Sequence, residues 1–412
     1  MGGGDADGLA PLPSGAGATG RPRGRAGVAT PLLACAIGGF GLGFLHQVNF
    51  LLPLRARELG ASFELIGLLV GAGSLVPALL SVPIGRVIDR LGARRSFSLG
   101  AALSGITALG YTSVTSPWAL LALQVLLGGV WTLGWLASQT YVTSLGTGRD
   151  RARLSGRFAF FSNVGTMVGP LVAGLVAEAV GVRLAFGWLA AYALAFAAVA
   201  LRLAEAPRAE QPGGRQGTGF GTALRLLRLR GIQVALLLTF VRLWNEFVWT
   251  SFFPVFLVEQ GLGPGLVGTV VFTKGLVATL LAPTVGYWSR FASRQGLAAL
   301  GLACGAVGLL VSPHLAAVPV VYLPPALVGI GAGFSLPLLL VIVTEAVPAE
   351  QRGVALGLRM TVNQVAGAGA PILVGPLIAG LGVALGFATA GSVALGLLLA
   401  SRVLHASARA PP

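Results

Sequence analysis

Residues 85–95 read GRVIDRLGARR. The arginines Arg86, Arg90, Arg94 and Arg95 and the carboxylate Asp89 stand between two runs, 65–84 and 96–114, that carry no Asp, Glu, Lys or Arg. A helix of about 20 apolar residues crosses ~30 Å of hydrocarbon, and cationic loops stay on the cytoplasmic side. The stretch therefore reads as a tight inner loop joining two membrane spans.

The same pattern extends over the chain. Of 412 residues, 55% are hydrophobic and 10% charged, against about 25% charged in soluble domains. Apolar runs start near Thr30, Glu64, Ser96, Pro117, Gly156, Arg183, Ile232, Pro264, Gln295, Val318, Val354 and Val383. The expected fold is an all-α integral membrane protein of twelve transmembrane helices. Spans four, five, ten and eleven are rich in glycine, as where membrane helices pack closely. The first run is longer than a signal peptide's apolar region and lacks a small-residue cleavage site, so it reads as span one. Residues 1–28, Gly- and Pro-rich with no run to bury, read as a disordered cytoplasmic tail.

The net charge of +15 follows from topology. With a cytoplasmic N-terminus, all of the 28 Lys+Arg fall on that face except Arg55, Arg57 and Arg183 outside, and Arg242 and Lys274 within spans. That bias orients the chain, with both termini cytoplasmic in an inner membrane, and no nucleic-acid partner is needed to account for it. Cys35 and Cys304 lie inside spans and far apart, and His46, His314 and His405 lack metal-ligand spacing. Gly275 follows the single lysine, Lys274, where a phosphate-binding loop needs Ser or Thr. No nucleophile–base pair appears either. The chain is expected to be no enzyme, to hold no metal or cofactor, and to draw for any active transport on an ion gradient or a partner.

Sliding the chain against itself by 201 residues aligns Pro53, Glu58 and Gly60 with Pro254, Glu259 and Gly261. Gly67, Gly85, Gly100 and Gly128 meet Gly268, Gly286, Gly301 and Gly329, and Thr143, Arg151, Gly156, Pro170 and Gly174 meet Thr344, Arg352, Gly357, Pro371 and Gly375. Two six-helix bundles are expected, 29–204 and 231–405, joined by a cytoplasmic linker, 205–230, with a short tail at 406–412. Parallel halves with a site between them near the midplane form a transporter plan. Arg225 and Arg228, near the end of the linker, suit a helix on the inner membrane surface.

The 85–95 loop resembles the best-known signature of the major facilitator superfamily, in Gly85, Asp89, Arg90, Gly92, Arg94 and Arg95. The resemblance implies two pseudo-symmetric six-helix bundles and a latch at the inner gate. The second-half copy, GYWSRFASRQ (286–295), has Arg290 in place of Asp89. Span five, through Gly156, Gly165, Gly169, Pro170 and Gly174, is similar to the antiporter-associated signature of that family, with Ala173 where a second glycine is usual. That signature is richest among exporters, so the likeness favours drug- or sugar-type efflux. Arg359 in span eleven reads as an inner-gate residue and a partner for Asp89.

Span seven contains FVRLWNEFVWTSFFPVF (240–256). A charge at mid-membrane costs roughly 2.5–3.5 kcal/mol on insertion scales, so it faces protein or water. Arg242, Asn245, Glu246 and Trp249 are spaced to share a helix face, and Lys274 lies at the middle of span eight. Glu246, the one acid deep in a span, is the candidate proton carrier, tuned by Arg242 and Lys274. The alternative is a structural Arg242–Glu246 pair at i, i+4. Further cavity candidates are His46, Gln47 and Asn49 in span one, Trp131, Trp135 and Gln139 in span four, Asn163 in span five, and Asn363 and Gln364 in span eleven. The function expected is alternating-access transport of a small organic molecule by a monomer in the bilayer, with proton-coupled efflux first and uptake or exchange of an organic anion as the alternative. A transporter-shaped sensor that moves nothing ranks below both.

Overall fold

The computed structural model describes residues 29–145, 148–203 and 219–409. The first half holds α1 (Ala29–Glu58), α2 (Phe63–Leu91), α3 (Ala93–Ser113), α4 (Pro117–Ser144), α5 (Gly148–Val180) and α6 (Val182–Leu201). A short α7 (Gly219–Leu226) precedes α8 (Arg230–Glu259), α9 (Pro264–Leu281), a one-turn α10 (Val285–Trp288), α11 (Arg294–Val311), α12 (Leu323–Glu345), α13 (Arg352–Leu381) and α14 (Val383–Arg409). The tail at 1–28 and most of the linker fall outside the described residues; within the linker α7 packs on α13, with Arg225 and Arg228 exposed.

Local chemistry sets the helix starts. Ser62 accepts a hydrogen bond from the Leu65 N–H and caps α2, with Glu64 in the first turn; Ser293 does the same for α11 through Gly296. These caps satisfy N–H groups that have no carbonyl within the helix. Pro117 and Pro264 sit at the first positions of α4 and α9, where no N–H is required. Gly60 and Gly261, 201 residues apart, both turn with φ above +80°, a conformation that side chains resist. The internal repeat therefore extends to turn geometry.

Eleven of the described helices are long and apolar enough to cross a membrane. The twelfth, α3, has 21 residues, about 31 Å of helix. Arg94, Arg95 and its hydroxyl residues lower its apolar content. Ser96, Ser98, Ser104 and Thr107 are buried, with Ser98 donating to the Ala197 carbonyl of α6, while Leu99, Ile106 and Leu109 face outward. The polar side of α3 thus lies inside the bundle.

Within the first half α1 packs on α4, α5 and α6, and α3 packs between α4 and α6. Within the second, α8 packs on α13 and α14, and α12 on α9 and α11. The halves meet along two seams, α2 on α13 and α5 on α9, with α1 facing α8 between them. The seams are copies of each other. A Cβ on Gly67 would meet the Pro371 carbonyl and Gly375, and one on Gly268 would meet the Pro170 carbonyl and Gly174; each residue of the second set is the 201-residue mate of one in the first.

Both seams lie toward the end that bears the α1–α2 and α8–α9 turns. There Arg57 pairs with Glu259, and Glu178 of α5 accepts from the Gly265 N–H at the start of α9 at 3.0 Å. Toward the other end Leu79, Leu80, Phe160 and Met360 are exposed. One end is closed, and at the other the halves diverge.

Candidate functional site

Between the halves lies a cavity of about 400 Å³, lined by α1, α5, α8, α9 and α12 and by Ala282 just beyond α9. Its polar lining includes His46, Asn49, Asn163, Thr166, Arg242, Glu246, Thr250, Lys274 and Thr279. Six of the sequence candidates, His46, Asn49, Asn163, Arg242, Glu246 and Lys274, are therefore brought to one place.

Lys274 is 7% exposed, and its Nζ donates to Glu246 Oε1. The ion pair joins α8 to α9 in place of the Arg242–Glu246 pair that i, i+4 spacing suggests. Two contacts fix Lys274. Its ammonium stands 5.6 Å from the centre of the Trp249 ring, within cation–π range. Behind it α12 approaches so closely that a Cβ on Gly329 would lie 2.5 Å from the Lys274 carbonyl oxygen. Arg242 forms no ion pair within 4 Å among the described residues, and its Nε is buried with no hydrogen-bond partner.

His46 reaches the cavity from α1. Its Nδ1 is 2.9 Å from the Leu42 carbonyl oxygen, which can only accept, so Nδ1 carries the hydrogen. In the neutral ring Nε2 is left as an acceptor. His46 lies near enough to Lys274 and Glu246 to feel both charges.

Other sequence candidates sit elsewhere. Asn245 is buried, donating to the Leu302 carbonyl of α11 at 3.1 Å, and Gly305 leaves room for its amide. Trp249 is fully buried and donates to Ser312 Oγ at 3.2 Å. Both are corrections. Successive helical residues point about 100° apart, and the cavity follows the row Arg242, Glu246, Thr250, whereas Asn245 turns toward α11 and Trp249 packs behind the Lys274 ammonium and reaches Ser312 just past α11. Thr250 was legible as the next i+4 step. Gln47 is buried against α6, accepting from Trp188 Nε1 at 3.3 Å. Trp131 and Trp135 stack on each other with centroids 5.9 Å apart and line a separate small aromatic pocket inside the first half. Gln139, Asn363 and Gln364 do not line the cavity; Asn363 donates to the Met360 sulfur.

The motif residues also divide. Arg94 donates to the Leu201 and Leu203 carbonyls and so caps the end of α6. Gly92 takes φ +86° between α2 and α3. Asp89, Arg90 and Arg95 are exposed and Arg94 is partly buried. Arg359 is 6% exposed with its Nε unpartnered, near enough to Arg242 to feel its charge, and among the described residues no ion pair joins it to Asp89. Gly165 and Gly169 press on α1 and Gly174 on α9, but a Cβ on Gly85 or Gly156 would meet nothing within 4 Å. No neighbouring helix approaches closely at Gly85. Cys35 donates to the Leu154 carbonyl, and no group of three or more metal-ligating side chains occurs among the described residues.

Two parallel-repeat bundles around a polar, charged cavity, closed at one end, define a multi-pass membrane transporter rather than an enzyme. The chain belongs to the Major Facilitator Superfamily, whose model matches residues 31–371. It is 29% identical over 140 residues to a multidrug resistance protein, MdtG, of Salmonella arizonae, and equally to that of Salmonella paratyphi B. Those matches cover 33% of this chain and 35% of the relatives. Among solved structures, the nucleoside transporter NupG superposes with a TM-score of 0.77 at 15% identity, over 91% of this chain and 99% of that one. A D-xylose-proton symporter gives 0.70 at 17% identity, over 92% and 97%.

Proposed function

We propose that the protein is a secondary active transporter of the inner membrane that couples the movement of a small organic molecule to a proton carried on Glu246. The observation that carries this reading is the Glu246–Lys274 pair. The only carboxylate lining the cavity, among the described residues, is held by a cation from a neighbouring helix. Protonating Glu246 dissolves that pair and changes what the cavity can hold. On this reading residues 29–204 and 231–405 move as two bodies about the 205–230 linker. On the same reading the basic loops favour a cytoplasmic open end, with both termini on that side, and a single chain is the working unit.

Efflux by exchange with protons draws support from the partial likeness to multidrug resistance proteins. Uptake or exchange of an organic anion draws support from Arg242, which forms no ion pair among the described residues, Glu246 being held by Lys274, and whose Nε has no hydrogen-bond partner. Counterflow in proteoliposomes tests the common core. Glu246→Gln is expected to abolish accumulation driven by a pH gradient while leaving substrate exchange intact. Gradient-driven transport that keeps its pH dependence in this variant refutes Glu246 as the proton carrier.

A further inference from the structure

The charges lining the cavity do not balance. Glu246 is engaged by Lys274, and no other acid lines the cavity among the described residues. Arg242, one turn earlier on α8, keeps a buried Nε with no acceptor, and so does the buried Arg359 of α13, close enough for the two guanidinium charges to repel. A guanidinium does not shed its proton in a protein, and an unpaired charge deep in a membrane calls for a counter-charge. The arrangement lacks an anion. Arg242 lines the cavity with nitrogens able to hold a planar acid group in a fork. Across from it His46 Nε2 offers an acceptor, and Asn49 and Asn163 offer amides.

We propose that the transported molecule is a small organic monoanion, that its carboxylate docks on Arg242, and that Lys274 is shared between this carboxylate and Glu246. The proposal rests on Glu246 being the proton carrier. With Glu246 ionised, Lys274 is held by it. When Glu246 takes up a proton, the ion pair is lost and the ammonium turns to the carboxylate on Arg242. No covalent bond changes. The empty site carries Arg⁺, Lys⁺ and a carboxylate; the loaded site carries Arg⁺, Lys⁺, a carboxylic acid and the bound anion. The net charge is the same in both, so reorientation moves the same charge through the midplane whether the carrier is empty or loaded.

The sign of the linkage follows. Proton and anion favour each other's binding, and the reciprocity of coupled equilibria makes the effect equal both ways. The two then travel together. A cationic substrate would instead compete with the proton and travel against it. The charged or titratable groups facing Glu246 are His46 from α1, Arg242 on α8 itself and Lys274 from α9, with Arg359 of α13 behind Arg242; α5 and α12 present only neutral groups to the cavity.

Three probes of one shape and different charge test this on the purified full-length protein: benzoate, benzamide and benzamidinium. Benzoate is expected to bind, measured calorimetrically, with benzamide and benzamidinium at least tenfold weaker. Benzoate affinity is expected to rise as pH falls, by up to about tenfold per pH unit for one linked proton. Calorimetry in buffers of different ionisation enthalpy should then register uptake of up to one proton per anion. Glu246→Gln, which mimics the protonated acid, is expected to bind benzoate about tenfold more tightly at pH 8, without proton uptake. Arg242→Gln is expected to lose the preference for benzoate over benzamide, and Arg242→Lys to keep it in part, which separates loss of charge from loss of fold.

Absence of benzoate binding at millimolar concentrations, or equal binding of benzamide, overturns the anion site. Benzamidinium binding that releases a proton through Glu246 overturns it too, while leaving the proton carrier in place. Benzoate binding with proton uptake that persists in Glu246→Gln separates the two differently, removing Glu246 and with it the sharing of Lys274.

Discussion

Substituting Gly174 by alanine tests whether the closed end is held by glycine contacts. A Cβ there would lie 2.5 Å from the Pro264 carbonyl oxygen and 3.0 Å from the Gly268 Cα. Both are backbone atoms, so no side-chain rotation relieves the clash. Overpacking of this kind costs typically about 1–3 kcal/mol. On the alternating-access reading, α5 and α9 separate at this end in the opposite state and relieve the methyl group of both contacts. The whole strain therefore enters the access equilibrium, a shift of about 5- to 150-fold toward the form open at this end. Spin labels at Val180 on α5 and at Gln260 after α8, both exposed, in a chain with Cys35 and Cys304 replaced, report the change as a longer distance population. Gly67→Ala loads the other seam, with labels placed across α2 and α13, and should act alike. The double variant should combine the two shifts, since the seams share no residue. Gly156→Ala, with open space around it, is the control. An unchanged distance distribution in Gly174→Ala, or an equal shift in Gly156→Ala, refutes the reasoning.

Arg57→Gln removes an ion pair across the same end, with side chains 42% and 29% exposed. Its expected effect is below about 1 kcal/mol, seen in the same distance measurement as a shift smaller than that of Gly174→Ala. Asp89→Asn is expected to slow transport several-fold in proteoliposomes while leaving equilibrium binding unchanged, and normal transport kinetics would remove the latch role from this carboxylate.

The helices were legible because apolar runs of membrane length are interrupted by arginine-rich turns, and most starts fell within a few residues. Span five departs, starting at Gly148 rather than near Gly156, because its first turns are polar. The charged centre was legible because Arg242, Glu246 and Lys274 are too costly at mid-membrane to be incidental. Which charges pair was not. Spacing along one helix offers Arg242 to Glu246, whereas the partner comes from α9, positioned by the close approach of Gly329. Such an approach is a property of two packed helices, and no pattern along one of them records it. The same holds for Trp131 and Trp135, whose i, i+4 stripe fits a cavity wall as well as the stacked pocket they form. Gly85 and Gly156 carry motif spacing, but their surroundings depend on which end is apart.

The copied seams carry a consequence for how such a chain arises. One face of the first bundle, through Gly67 and Gly174, meets the matching face of the second, through Gly268 and Gly375, with equivalent residues exchanged across a pseudo-twofold axis. That is the geometry of an isologous dimer interface, self-complementary by construction. A six-helix unit bearing this face can pair with a second copy of itself before any linker joins them. The contacts that break the symmetry, Glu178 on the Gly265 N–H where the mate of Glu178 is Ala379, and Arg57 on Glu259 where the mate of Arg57 is Val258, are then the ones that tell the two halves apart.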